Sequence, residues 1–195
     1  MIRDAEGLVL TGGRSQRMGQ DKAALLISPH VTLLDHARDI LQRTVSGPVY
    51  ISRPYHWPNP SSLDLVDADD NQGPLAGILQ GLKACSKSWL AVLAVDCPNA
   101  NPTLYEILYQ SRTSRTMAII PRYGQTWQPL VSLWSPGLIQ AIEDQLAQGN
   151  HRVGSVLSDL VTRIVDIEDP QWLTNLNTPD DWKQWILASK GTVPL

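Results

Sequence analysis

The stretch GLVLTGGRSQRMGQDK, Gly7 to Lys22, joins a short apolar run to a loop rich in glycine and basic residues. The apolar residues before Thr11 predict a buried β-strand, and the glycines after them predict a tight turn. Gly12 and Gly13 have no Cβ atom, so backbone N–H groups there can approach an anion closely. Three cations lie in the same loop: Arg14, Arg17 and Lys22. The loop therefore predicts a site for a polyanion such as a triphosphate.

The spacing of the glycines excludes two common phosphate-binding motifs. The pattern G-x-G-x-x-G is absent, which disfavours a dinucleotide-binding site. The pattern G-x-x-x-x-G-K-[ST] is absent too, because Gly19 is followed by Gln20 rather than by lysine. The sequence thus indicates a phosphate loop of another kind.

Predicted strands and helices alternate along nearly the whole chain. Short apolar runs predict strands at 7–10, 49–52, 63–66, 89–95, 117–121, 130–134 and 163–167. Helical spacing and capping residues predict helices at 33–43, 73–84, 102–112, 137–147, 152–160 and 179–189. This order predicts an α/β fold, a Rossmann-like three-layer α/β/α sandwich with a mostly parallel central sheet. The length favours a single domain over residues 1–195.

In such a sheet, ligands bind outside the carboxyl ends of the strands. Asp96 lies just past the end of the continuously apolar run 89–95 and is followed closely by Pro98. Mg²⁺ commonly takes one or two protein carboxylates and completes its shell with phosphate oxygens and water. Asp96 is therefore the predicted metal ligand, and the alternative interpretation is a carboxylate that only caps the next turn.

The overall composition excludes several classes of function. The net charge of −3 and the absence of a basic stripe argue against a nucleic-acid partner. The two cysteines, Cys85 and Cys97, form no CxxC pair, so we expect small buried thiols and no zinc site. The N-terminus has no signal-peptide pattern, and no apolar stretch reaches the ~18 residues of a membrane helix. We therefore expect a cytoplasmic protein with no membrane partner.

The glycine loop resembles the signature of a known family. The segment L-T-G-G-R-S-Q-R-M-G-Q-D-K is similar to the L-x-G-G-x-S-x-R-M-G-x-D-K motif of the molybdenum cofactor guanylyltransferases, the MobA-like nucleotidyltransferases. The resemblance implies GTP binding by the loop, catalysis by Arg17, Lys22 and Asp96, and Mg²⁺ on Asp96. The loop residues implied to bind the nucleotide are Leu10, Thr11, Gly12, Gly13 and Lys22.

Further segments match the family in chain order. The stretch Gly73-Pro-Leu-Ala-Gly77 opens a predicted helix whose free N–H groups could face a nucleotide. The resemblance places it near the base and ribose and implies contacts from Gly73, Pro74, Leu75 and Gly77.

An acidic position of the family falls on Asp67, within one residue of the expected spacing. A carboxylate there can accept hydrogen bonds from guanine N1–H and N2–H₂ together. For the neighbouring Asp64, Asp69 and Asp70, we expect a solvated acidic loop.

Two positions depart from the family pattern. Ser52 stands where the family often has an Asn near the base, and it remains a predicted nucleotide contact. The pair Gln128-Pro129 stands where a His-Pro pair is frequent. The first departure concerns base selectivity, and the second concerns the pterin side.

The segment Asn175-Leu-Asn-Thr-Pro-Asp-Asp181 has the features of a capped helix start. That reading accounts for the threonine, the proline and both aspartates, but it does not require the two asparagines. The segment resembles the family's N-x-N-T-P motif, which implies that Asn175 and Asn177 face the active site and the pterin. A shorter match, His151-Arg152, resembles a segment with a basic residue near the second substrate.

The resemblance implies transfer of GMP from GTP to the terminal phosphate of molybdopterin or Mo-molybdopterin, with release of pyrophosphate. Proteins that supply or receive the molybdenum cofactor are the implied macromolecular partners. Three alternatives keep the fold: a cytidylyltransferase for the same pterin, a sugar-1-phosphate nucleotidyltransferase, and an inactive nucleotide-binding accessory protein for cofactor delivery.

Overall fold

The computed structural model describes residues 1–12, 22–55, 57–67, 73–158 and 162–189. Within these ranges strands and helices alternate as the sequence predicts. The strands are β1 (Ala5–Leu10), β2 (Leu26–Ser28), β3 (Val31–Thr32), β4 (Val49–Arg53), β5 (Asp64–Val66), β6 (Trp89–Ala94), β7 (Ala118–Tyr123), β8 (Thr126–Trp127), β9 (Val131–Trp134) and β10 (Thr162–Asp166).

The helices of the described residues agree closely with the predicted ones. They are α1 (Leu33–Thr44), α2 (Gly73–Ala84), α3 (Pro102–Gln110), α4 (Ile139–Ala147), α5 (Val153–Ser158) and α6 (Pro179–Ser189). Thr32 caps α1, since its hydroxyl accepts from the backbone N–H of Asp35, and Asn101 caps α3 in the same way. Threonine and asparagine are both favoured at N-cap positions.

The main sheet has eight strands, seven of them in the order β10-β7-β9-β6-β1-β4-β5, with β8 paired to β7. Strand β9 runs antiparallel to β6 and β7, and the other neighbours along this path are parallel. The antiparallel direction of β9 follows from its short connection to β7, because a parallel neighbour would need a long crossover. The sheet is mostly parallel, as the sequence predicts.

The register of the strands brings their carboxyl ends to one edge. Leu10 pairs with Ala94 on one side and with Ser52 on the other, and Ser52 pairs with Leu65. The segments that follow β1, β4, β5 and β6 therefore emerge together. Because β9 is antiparallel, its beginning lies at this same edge, with Val131 opposite Leu93. Ser52, Asp67 and Asp96, which the sequence singled out, lie at or just past these strand ends.

Helices cover both faces of the sheet, so β1 and β6 are buried along their whole length. A Cβ atom on Gly7 would lie 3.3 Å from Leu41 of α1, whereas the adjacent Leu8 packs close to Gly81 of α2. Strands buried on both faces have continuous apolar runs rather than alternating ones. No helix in the described part of the chain has the length and apolar character needed to span a membrane.

Candidate active site

The carboxyl end of β1 leads into the predicted nucleotide loop. The Thr11 hydroxyl donates to the backbone carbonyl of Ser52 at 2.7 Å, and the Val95 N–H donates to the carbonyl of Leu10 at 3.0 Å. Gly12 has a φ of +89° and open space around the position of a Cβ atom. Glycine adopts this conformation at little cost. The start of the loop is therefore anchored between two strands, and the chain turns at Gly12.

The remainder of the loop, residues 13–21, lies outside the described residues. Gly13 and Arg17, two of the predicted site residues, belong to this segment. Their roles in phosphate binding and catalysis stay predictions.

Leu10, Ser52 and Gly77 pack against one another below the loop. A Cβ atom on Gly77 would lie 2.9 Å from both Leu10 Cδ2 and Ser52 Oγ, closer than such atoms normally approach. Glycine lets α2 lie this near to β1 and β4 without displacing the Leu10 or Ser52 side chain. The structure thus brings together three residues that the sequence assigned to nucleotide binding, with Ser52 almost fully buried.

The first turn of α2 reaches the same edge. Gly73 has a φ of +71°, and a Cβ atom there would lie 3.7 Å from the carbonyl oxygen of His151. Gly73 and Pro74 are exposed, whereas the Leu75 side chain is completely buried in the core. Leu75 can therefore contact a ligand only through its backbone.

Asp67 directly follows β5 and is held by its backbone N–H, which donates to the carbonyl of Arg53 at 2.9 Å. Its Oδ1 atom is buried and has no hydrogen-bond partner among the described residues. Burial raises the pKa of Asp67 from 3.8 to about 6. A buried carboxylate oxygen without a donor is costly, so this site suits a ligand that supplies donors.

Arg53, at the end of β4, already forms an ion pair with Asp64. Arg53 Nε donates to Asp64 Oδ1 at 2.5 Å, and the Arg53 guanidinium lies 4.2 Å above the ring of Trp57. The Asp64 side chain is only 8% exposed. The expectation that Asp64 belongs to a solvated acidic loop is therefore wrong, because an ion pair to Arg53 stabilises it inside the fold. Asp69 and Asp70 lie outside the described residues.

Lys22 and Asp96 meet the C-terminal asparagine segment at the carboxyl edge of the sheet. The Lys22 ammonium lies 3.4 Å from Asp96 Oδ2 and donates to the carbonyl of Leu176 at 2.7 Å. The Leu176 N–H in turn donates to the Asp96 carbonyl at 2.8 Å. Lys22 and Asp96 are mostly buried, so their charges interact more strongly than in water. Three segments that are far apart in sequence thus form one centre.

The two predicted asparagines occupy different positions. Asn175 lies in the centre, where its Oδ1 accepts from Cys97 Sγ at 2.9 Å and from Gln128 Nε2 at 2.6 Å. Asn177 is exposed, and its backbone N–H donates to Asp181 Oδ2 at 2.9 Å, which stabilises the start of α6. The structure groups Asn175 with Lys22 and Asp96, and for Asn177 it adds a role in the helix start.

The chemistry of Asp96 fits a hard divalent cation. Among the described residues, no cluster of three or more His, Cys, Asp or Glu side chains could hold a metal by itself. Asp96 is one partly exposed carboxylate beside the Lys22 ammonium, and the preceding residue, Val95, is hydrogen-bonded to Leu10 at the end of β1. This is the donor set expected for Mg²⁺, which relies on phosphate and water for its remaining ligands.

Sequence reasoning missed the contacts that Cys97 and Gln128 make with Asn175. Cys97 is buried as expected, and burial raises the pKa of its thiol well above its ordinary value. Gln128 lies 47 positions from Asn175 along the chain, and no spacing rule links them. The only sequence signal was the departure of Gln128 from the family's His-Pro pattern.

Comparisons with known proteins show the family to which the chain belongs. Residues 7–164 match the family described as MobA-like NTP transferase domain. A molybdenum cofactor guanylyltransferase from Syntrophotalea carbinolica is 31% identical over 198 residues, an alignment that covers 97% of this chain and 94% of that relative.

Solved structures share the fold. The molybdopterin-guanine dinucleotide biosynthesis protein A from Archaeoglobus fulgidus superposes with a TM-score of 0.81 at 19% identity, covering 96% of this chain and 100% of the other. A Mycobacterium tuberculosis protein in complex with manganese superposes with a TM-score of 0.64 at 12% identity, covering 95% and 99% of the two chains. At these identities the likeness concerns the fold alone.

Proposed function

The chain belongs to the MobA-like NTP transferase family, and from this membership we propose that it is a molybdenum cofactor guanylyltransferase. In the proposed reaction, the terminal phosphate of molybdopterin or Mo-molybdopterin attacks the α-phosphorus of GTP. The bond to the β-phosphate breaks, and pyrophosphate leaves. The product is the guanine dinucleotide form of the cofactor.

The observation that carries this proposal is the junction of Lys22, Asp96 and the Asn175–Leu176 segment at the carboxyl edge of the sheet. A cation and a carboxylate held together beside a glycine loop suit the transfer of a charged phosphoryl group. The attacking group is already an anionic phosphate, so the reaction needs no strong general base. Catalysis then depends on positioning and on charge stabilisation.

Each residue of the centre has a proposed role. The backbone N–H groups of the loop, with Arg17 and Lys22, bind the triphosphate, and Lys22 neutralises charge on the departing pyrophosphate. Asp96 holds the divalent cation, which we propose to be Mg²⁺. When bound, such an ion withdraws charge from the phosphoryl oxygens.

A base pocket is proposed in the region between β4, β5 and α2. The Asp67 carboxylate, whose Oδ1 has no hydrogen-bond partner among the described residues, can accept from guanine N1–H and N2–H₂, whereas adenine and cytosine offer no matching pair of donors. In this proposal the base lies over Ser52 and Gly77, which pack together, and beside the exposed residues Gly73 and Pro74. GTP is therefore the proposed nucleotide.

Product identification tests the function. The protein is incubated with Mg²⁺, molybdopterin and either GTP or CTP, and the pterin products are identified by mass spectrometry. We expect the guanine dinucleotide with GTP and little product with CTP. A cytosine dinucleotide would show that the protein is a cytidylyltransferase. A nucleotide-sugar formed from a hexose phosphate would show that it is a sugar-1-phosphate nucleotidyltransferase. Nucleotide binding without pyrophosphate release would point to an accessory protein.

A further inference from the structure

Gln128 is a buried polar residue in the turn between β8 and β9, and it contacts the asparagine segment of the centre. Gln128 is only 8% exposed to solvent. Its Nε2 atom donates to the backbone carbonyl of Leu173 at 3.4 Å and to Asn175 Oδ1 at 2.6 Å. None of the roles proposed for the centre uses this residue.

These contacts fix the orientation of two amide groups. A backbone carbonyl can only accept, so Gln128 must turn its NH₂ group toward Leu173. The same NH₂ group then faces Asn175, which must present its oxygen. The Cys97 thiol lies 2.9 Å from that oxygen and supplies a second donor. Both acceptor positions of Asn175 Oδ1 are thereby occupied.

The opposite end of the Asn175 amide is its Nδ2 group. This group has no hydrogen-bond partner among the described residues and is turned away from Gln128 and Cys97. The next residue, Leu176, binds Lys22 through its carbonyl and Asp96 through its N–H. The fixed NH₂ group therefore belongs to the same centre as the cation that would bind phosphate.

Resting on the proposed guanylyl transfer, we infer that Gln128 is a positioning residue that holds the Asn175 NH₂ group ready to donate to a phosphate oxygen of a bound substrate. The phosphate belongs to GTP or to molybdopterin. Both sources offer the same acceptor chemistry, and separate KM values distinguish them.

The test compares three variants at Gln128 and Asn175. Gln128→Ala removes the donor. Gln128→Glu replaces it with a carboxylate oxygen, which repels the carbonyl oxygen of Leu173 and Asn175 Oδ1 and favours a flipped Asn175 amide whose NH₂ group faces Glu. Asn175→Asp keeps an acceptor for Gln128 and Cys97 but removes the NH₂ group. Gln125→Ala is the matched control, because Gln125 is exposed in the turn between β7 and β8.

Steady-state KM for each substrate and thermal unfolding are measured for every variant. We expect Gln128→Glu and Asn175→Asp to raise KM for the same substrate by at least ~10-fold, the scale of one hydrogen bond to a charged group. Gln128→Ala should have a smaller effect, and the control should behave as wild type. Adding Gln128→Ala to Asn175→Asp should not raise KM further, because the two residues act through one group.

A purely structural role predicts a different result. It would lower the melting temperature of the Gln128 variants while leaving both KM values unchanged, and that outcome overturns the inference. Equal and additive effects on KM would overturn it too. Failure of the proposed function is distinct, since the wild-type protein would then release no pyrophosphate from GTP in the presence of molybdopterin.

Discussion

At the scale of single residues, the neighbouring aspartates Asp64 and Asp67 have pKa values shifted in opposite directions. Burial raises the pKa of Asp64, but hydrogen bonds from Ser61 and Arg53 outweigh it, so its pKa lies below the ordinary value. Asp67, three residues later, is half-buried, and its Oδ1 has no donor within the described part of the chain, so burial raises its pKa to about 6. Perturbed carboxylates without partners concentrate at functional sites.

This pKa predicts how GTP affinity depends on pH. Guanine donors favour the ionised carboxylate, so binding must release a proton wherever Asp67 is protonated in the free protein. We expect the affinity for GTP to rise with pH up to about 6 and to level off above it. Calorimetric titration from acid to neutral pH measures this, and the Asp67→Asn variant should lose the dependence. An unchanged pH profile in that variant would remove Asp67 from the base pocket.

The same shift predicts an effect on stability. The pKa of Asp67 in the folded protein, about 6, is above the ordinary value of 3.8. The contribution of this shift to the free energy of unfolding is therefore complete below pH 3.8, and it is lost as the pH rises through about 6. The Asp67→Asn variant, which cannot ionise, should therefore have a higher free energy of unfolding than wild type at pH 8. The difference should shrink at acid pH. Urea unfolding at both pH values checks this, and a less stable variant at pH 8 would contradict it.

At the scale of elements, the closeness of α2 to the sheet shapes the proposed base pocket. Gly77→Ala would place a Cβ atom 2.9 Å from Ser52 Oγ and Leu10 Cδ2. We expect α2 to shift, with a loss of stability of ~1–3 kcal/mol as for overpacked cores and weaker GTP binding. Gly154→Ala in α5 is the control, since nothing lies within 4 Å of a Cβ atom there. Equal GTP affinity in both variants would exclude this part of the pocket.

Helix α6 follows the asparagine segment along the chain and contacts the segment after Asp96. The Trp185 indole N–H donates to Asn99 Oδ1 at 2.7 Å, and the ring packs against Trp182 and His36. Trp185 thus joins α6 to the segment that follows Asp96.

Trp185→Ala should weaken the contact between α6 and the segment that follows Asp96. We expect a destabilisation below the ~3–5 kcal/mol of a fully buried tryptophan, together with reduced turnover. Leu187→Ala, on the same helix but 69% exposed, should change neither. Thermal unfolding and pyrophosphate release measure the two effects, and wild-type turnover in Trp185→Ala would show that the α6 contact does not position the centre.

The elements with strong local signals were predictable from the sequence, and the weak ones were not. Helix α2 begins at Gly73 and ends at Ala84, as the sequence predicts, because helical spacing and a Gly-Pro start are local properties. The pairs β2–β3 and β7–β8 were not predicted, since strands of two or three residues carry too little alternation. The link from Gln128 to Asn175 depends on tertiary packing and has no local signal at all.

At the scale of the whole molecule, the sheet brings distant segments to one edge. Asp96 follows β6, Lys22 follows the loop after β1, and Asn175 precedes α6, yet hydrogen bonds link all three segments. The order of the strands explains this convergence, because the carboxyl ends of β1, β4, β5 and β6 share one edge. The fold class could be predicted from alternation alone, but the contacts within the centre required the topology.

The most direct test of this centre is the initial rate of pyrophosphate release from GTP in the presence of molybdopterin and Mg²⁺. Wild type is compared with Lys22→Met and Asp96→Asn, and Lys87→Met, at an exposed position, is the control. We predict that both centre variants lose at least ~10²-fold in rate, the scale of one electrostatic catalytic group, while the control keeps the wild-type rate. A folded Asp96→Asn variant with a rate within a few-fold of wild type would contradict the account.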